Sequence, residues 1–227
     1  MKSNTILKIF IGFCLVYLLI LLLGEDEIAW FLKPFLLPFL LLAVHFYKKF
    51  GTKNILLAAL TMSWIGDIIL LFADKGELYF IAGLIAFLIS HICYIILFSK
   101  QLKVYLKKSK FLYWVGVTAI TLYLMVMMLV LLPSLDDLKI PVFVYALTIS
   151  IMLLFAFKGY LNWHRPSNGH ILIGAVVFVA SDSILAFDKF YAPLQHSALL
   201  IMTTYLVAQF LIVVGILELN KKSSIPV

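Results

Sequence analysis

Eight stretches of about 20 mostly apolar residues follow one another along this chain, parted only by short polar loops. That pattern decides the fold class. In hydrocarbon every backbone N–H and C=O must find its partner inside the protein, so an apolar stretch of that length has to be a helix. The spans read as 6–23, 30–47, 54–73, 79–99, 111–132, 140–158, 169–187 and 197–217. Of 227 residues, 64% are hydrophobic and 13% charged, against about 45–50% and about 25% in soluble domains. The expected fold is all-α: a polytopic membrane helix bundle of about eight transmembrane helices, forming one integral membrane domain over 1–227.

The loops alternate in charge. Of the 18 Lys and Arg residues, only Lys33, Lys75, Lys139 and Lys189 fall on one side; the others gather on the opposite side. The basic side is the cytoplasmic one, so both termini are expected inside. This placement also accounts for the net charge of +7 without invoking nucleic acid. The first apolar segment lacks a small-x-small cleavage pattern and ends in Gly24-Glu25-Asp26-Glu27, so it is expected to be a retained span. Cys14 and Cys93 both lie within apolar segments and read as core filler.

Two aspartates break the apolar pattern. Gly66-Asp67-Ile-Ile-Leu-Leu-Phe72 and Ser181-Asp182-Ser-Ile-Leu-Ala-Phe187 share one motif: small residue, Asp, any, Ile, Leu, any, Phe. A carboxylate in hydrocarbon costs several kcal/mol unless the interior compensates it, so intramembrane acids mark functional sites. Both are expected about five or six residues from the outer ends of their spans, roughly 7–9 Å deep at about 1.5 Å per residue. Spans two and six also open alike, at Lys33-Pro34 and Lys139-Ile-Pro141. A four-plus-four internal repeat would explain both similarities.

Further polar residues fall in the same outer half. Lys33 starts span two, Tyr145 lies a turn into span six, and Tyr205 and Gln209 share a face of span eight. Phe87, Ser90, His91 and Tyr94 form a stripe on span four; Ser63 stands one turn before Asp67, and Ser181 and Ser183 flank Asp182. Taken singly, a Tyr or Ser in a span is usually a packing residue, worth about 0.6 kcal/mol as an interhelical hydrogen bond, and Lys33 has snorkelling as its bland alternative. Together they outline a polar pocket, with Asp67 and Asp182 as the catalytic candidates. Lys33, His91, Tyr94, Tyr145, Ser181, Ser183, Tyr205 and Gln209 are the substrate-binding candidates.

The same residues resemble the YhhN/TMEM86 family of multispan membrane proteins. The resemblance rests on Lys33-Pro34, Gly66-Asp67, Gly83-Leu-Ile-Ala-Phe87, His91-x-x-Tyr94 and Tyr145. It continues through Gly174-Ala-Val-Val-Phe-Val-Ala-Ser-Asp-Ser-Ile-Leu-Ala186, Lys189-Phe190 and Tyr205-x-x-x-Gln209. Asp188, expected in a loop, departs from the uncharged residue, usually Asn, that the family pattern has there. Characterised members are lysoplasmalogenases. The resemblance therefore implies hydrolysis of the vinyl-ether bond of a lysophospholipid, giving a fatty aldehyde and glycerophosphoethanolamine or glycerophosphocholine, at positions corresponding to Asp67 and Asp182. Composition alone implies none of this.

Two carboxyls suit that chemistry. Vinyl ethers hydrolyse by protonation of the β-carbon, giving an oxocarbenium ion that water captures; glycosidases manage a similar cation with a pair of carboxyls. No cofactor or metal is expected. The chain has no His-x-x-x-His spacing, and of its five histidines only His91 lies deep in a span. The competing reading is a proton-coupled lipid or small-solute transporter; a non-catalytic lipid-binding protein is a third. The mainly aliphatic and aromatic inner halves of the spans favour a one-sided pocket over a transport path. The expected partners are a lysophospholipid substrate and membrane lipid, and the compact, Lys-rich chain suits a bacterial inner membrane.

Overall fold

A computed structural model describes residues 2–102 and 110–221. Among these residues every regular element is helical, and eight helices are long and apolar enough to cross a membrane. The all-α expectation therefore stands. Lys103, Lys107, Lys108 and Lys222, counted above on the basic side, lie outside the described residues. The chain divides into two compact units, Met1–Leu97 and Phe98–Val227.

The first unit contains α1 (Lys2–Leu22), α2 (Asp26–Leu32), α3 (Leu36–His45), α4 (Lys53–Leu70) and most of α5 (Glu77–Gln101). α3 packs against both α1 and α4. Span two is not one α-helix. A 3-10 turn, Lys33–Phe35, separates α2 from α3, at the point where Pro34 and Pro38 withdraw two backbone donors. In an α-helix the carbonyl of Pro34 would take the N–H of residue 38, which is a proline. It instead accepts the indole N–H of Trp64 on α4 at 2.7 Å. At the end of α4, the indole of Trp30 donates to the carbonyl of Leu71 at 3.2 Å. Lys53 caps the end of α3, its Nζ lying 2.7 Å from the carbonyls of both His45 and Tyr47.

The second unit holds α6 (Lys110–Leu131), α7 (Lys139–Asn162), α8 (Ser167–Phe190) and α9 (Ser197–Lys221). α8 and α9 pack tightly because two glycines let their backbones meet. A Cβ on Gly174 would lie 3.0 Å from both the Ala208 carbonyl and the Ile212 nitrogen; one on Gly215 would lie 3.1 Å from the Ile171 nitrogen. Small residues at such crossings are the usual means of close approach between helices in a membrane. Where α6 turns into α7, Met128, Leu131, Leu135 and Val142 form a buried apolar cluster backed by Phe187 and Phe190. At the opposite end of α8 and α9, His170 Nδ1 and Glu218 Oε2 pair at 2.8 Å.

Several helices run past the spans read from hydropathy, and both aspartate-bearing helices end elsewhere than expected. α4 ends at Leu70, before the apolar run does, and a 3-10 turn follows at Ala73–Lys75. α8 continues to Phe190, so Asp188 stands in its last turn rather than in a loop. There its Oδ1 accepts the N–H of Leu194 at 2.7 Å, fastening the chain that leads into α9. Hydropathy reports where charge begins, whereas hydrogen bonding decides where a helix stops.

Candidate active site

Each unit carries one of the two aspartates. In the first, α4 places Ser63 and Asp67 one turn apart on the same face, and both are buried. Ser90 of α5 gives its proton to the carbonyl of Ala59 at 2.9 Å. A hydroxyl has one proton to donate, so the 2.8 Å contact between Ser63 Oγ and Ser90 Oγ has Ser63 as donor. This short chain of hydroxyls joins α4 to α5. Gly66 makes the approach closer still: a Cβ there would sit 2.7 Å from the ring of Phe87.

Lys33, on the 3-10 turn that interrupts span two, lies close enough to Asp67 for their charges to interact. Tyr17 of α1 also lies within reach of the Asp67 charge and is buried. A basic group and an acid are thus gathered in one unit. His91 and Tyr94 are completely buried on α5.

The second unit surrounds Asp182 with hydroxyls. Tyr145 of α7 donates to Asp182 Oδ2 at 2.6 Å. Ser183 spends its proton on the Val179 carbonyl at 2.5 Å, so in the very short contact between Tyr123 Oη and Ser183 Oγ the tyrosine of α6 is the donor. Tyr123 is also within electrostatic reach of Asp182. Tyr123, Tyr145, Asp182 and Ser183 form the polar end of a narrow cleft of about 50 Å³. Its remaining walls are mainly apolar, among them Met127, Met128, Leu131 and Val142.

Ser181, Tyr205 and Gln209 belong to a different layer. Ser181 Oγ donates to the Ile201 carbonyl at 3.0 Å. Tyr205 stands edge-on to Phe178 with ring centroids 5.6 Å apart, and Gln209 Nε2 donates to its hydroxyl at 3.4 Å. The first two contacts join α8 to α9 and the third lies within α9; none of the three residues lines the cleft at Asp182. Sequence reading missed Tyr123, because an isolated Tyr on an apolar span carries no signal of what it faces. It also missed Trp64, whose partner is created by a proline on another helix. Among the described residues no three His, Cys, Asp or Glu side chains gather closely enough to hold a metal ion.

The aspartates sit differently on their own helices. Asp67 is three residues from the end of α4 and Asp182 eight from the end of α8. Measured to the next acidic residue, Asp74 or Asp188, the intervals are seven and six. The two measures diverge because α4 gives way to a turn where α8 remains helical.

Apolar spans carrying one buried and one half-buried acid, each beside hydroxyls or a base, define an integral multi-pass membrane protein. The chain belongs to the YhhN family, which it matches over residues 28–216. It is 32% identical over 215 residues to lysoplasmalogenase TMEM86B of Homo sapiens, covering 92% of this chain and 85% of that protein. It is 27% identical over 171 residues to lysoplasmalogenase TMEM86A of Bos taurus, covering 70% of this chain and 63% of that protein. TMEM86A of Homo sapiens matches at the same identity and coverage. No solved structure matches the chain.

Proposed function

We propose that this protein is a lysoplasmalogenase, a membrane-embedded hydrolase that cleaves the vinyl-ether bond of a lysophospholipid using Asp67 and Asp182. The observation that carries the reading is the occurrence of one buried or half-buried aspartate, in the same sequence motif, in each of the two four-span units. Similarity to proteins named lysoplasmalogenase supplies the substrate class.

In the proposed reaction one aspartate delivers a proton to the β-carbon of the vinyl ether. The other faces the oxocarbenium ion that results and orients a water toward its α-carbon. Addition of that water, which gives a proton to the second carboxylate, forms a hemiacetal; its hydroxyl proton passes to the glycerol oxygen as their C–O bond breaks. The products are a fatty aldehyde and a glycerophospho-base; one water is consumed overall. Fixed hydrogen bonds and charges beside each carboxyl stabilise developing charge at little reorganisation cost. Tyr145 holds one carboxylate oxygen of Asp182, and Lys33 balances charge near Asp67.

Lys-rich loops on one side support an orientation with both termini in the cytoplasm, as for a bacterial inner-membrane protein. Incubating purified full-length protein with lysoplasmalogen, and separately with the matching ester lysolipid, tests the activity. Stoichiometric release of aldehyde from the vinyl ether is expected. Transport of either lipid across a vesicle membrane without aldehyde would favour the transporter and overturn the reading.

A further inference from the structure

The cleft at Asp182 is closed off where α6 turns into α7. There Met128, Leu131, Leu135 and Val142 pack together, with Phe187 and Phe190 against them. On the exposed side of the same unit lies a second hollow, an open groove of about 310 Å³ along α6 and α7. Its walls include Met125, Leu129, Leu132 and Phe143, all exposed at the outer face of apolar spans. Apart from Thr121 the lining is entirely apolar. Groove and cleft have two walls in common, Leu124 and Met128.

We propose that this groove is the portal by which the alkyl chain of a single-chain lipid enters sideways from the bilayer, with Leu124 and Met128 as the gate to the cleft at Asp182. The inference rests on the proposed lysoplasmalogenase reading for its substrate class. Three features carry it. The groove faces the hydrocarbon in which such a chain already lies. It shares its inner wall with the cavity that holds the carboxylate. The gate consists of two unbranched or γ-branched side chains, one of them a methionine, whose three rotatable bonds let it swing without backbone movement.

The full-length protein in lipid nanodiscs is photolysed with an alkyl lysophosphocholine whose saturated chain carries a diazirine. Adducts are then mapped by mass spectrometry. Labelling of α6 and α7 should fall about tenfold, the scale of discrimination by an apolar pocket, when excess unlabelled alkyl lysophosphocholine competes. Met125→Trp, which fills the groove from its exposed rim, should reduce labelling as much. Val126→Trp, exposed on α6 but outside both linings, should not. In turnover, Met128→Phe should lower kcat/KM for long-chain relative to short-chain lysoplasmalogen by about tenfold. Labelling that excess lipid does not compete, or that persists in Met125→Trp, overturns the portal. If competed labelling is found but wild type releases no aldehyde, the portal stands and the activity falls. If aldehyde is released at wild-type rate by Met125→Trp and labelling is not competed, the activity stands and the portal falls.

Discussion

The hydroxyl of Tyr145 donates to Oδ2 of Asp182 at 2.6 Å, tying a carboxylate on one membrane span to a phenol on the next. A hydrogen bond to a charged group contributes about 1.5–3 kcal/mol. It also limits how the carboxylate can turn, which is a requirement for any group that must meet a reacting carbon.

Tyr145→Phe removes that bond while keeping the ring. Turnover of lysoplasmalogen is expected to fall about ten- to a hundredfold, with the thermal midpoint in detergent little changed. The hydroxyl of Tyr123 is bonded to Ser183 rather than to the carboxylate, so Tyr123→Phe should cost less. Initial-rate kinetics on both variants check the order; equal, wild-type rates would remove the tyrosines from the site.

Trp64→Phe leaves the Pro34 carbonyl without the indole that it accepts. An unsatisfied carbonyl costs up to about 1–3 kcal/mol when buried; this one is half-buried, and the loss is read as a lower thermal midpoint of the detergent-solubilised protein. Pro38→Ala restores a backbone N–H four residues on, so the double variant should recover part of the loss. Additive destabilisation would show that the indole is not substituting for the missing helix bond.

Gly174→Ala should destabilise by about 1–3 kcal/mol, because the new methyl would press on the backbone of Ala208 and Ile212. Gly12→Ala is the contrasting case. Nothing lies within 4 Å of a Cβ there, and replacing a mid-helix glycine gains about 0.5–1 kcal/mol. Thermal midpoints moving in opposite directions are the expected result.

Much of this was legible before any coordinates. Apolar length announces the eight helices, since no other structure satisfies the backbone in hydrocarbon. The motif shared by Asp67 and Asp182 singles out both acids, and Tyr145 follows from its place on span six. What hydropathy could not reveal depends on contacts between helices. Ser181 flanks Asp182 in sequence yet donates to the Ile201 carbonyl of α9, because adjacent residues on a helix point about 100° apart. Tyr123 enters the site from α6 with no motif around it. The 3-10 turn at Lys33–Phe35 was implicit in two prolines four residues apart, but the apolar run across them reads as one span.

The most direct test is aldehyde release by purified, monodisperse Asp67→Asn, Asp182→Asn and the double variant. Two carboxyls acting in one reaction predict that each single change lowers turnover about a thousandfold, and that combining them costs almost nothing more. Near-wild-type turnover in either single variant, or losses that simply multiply in the double, would contradict a shared role for the two aspartates.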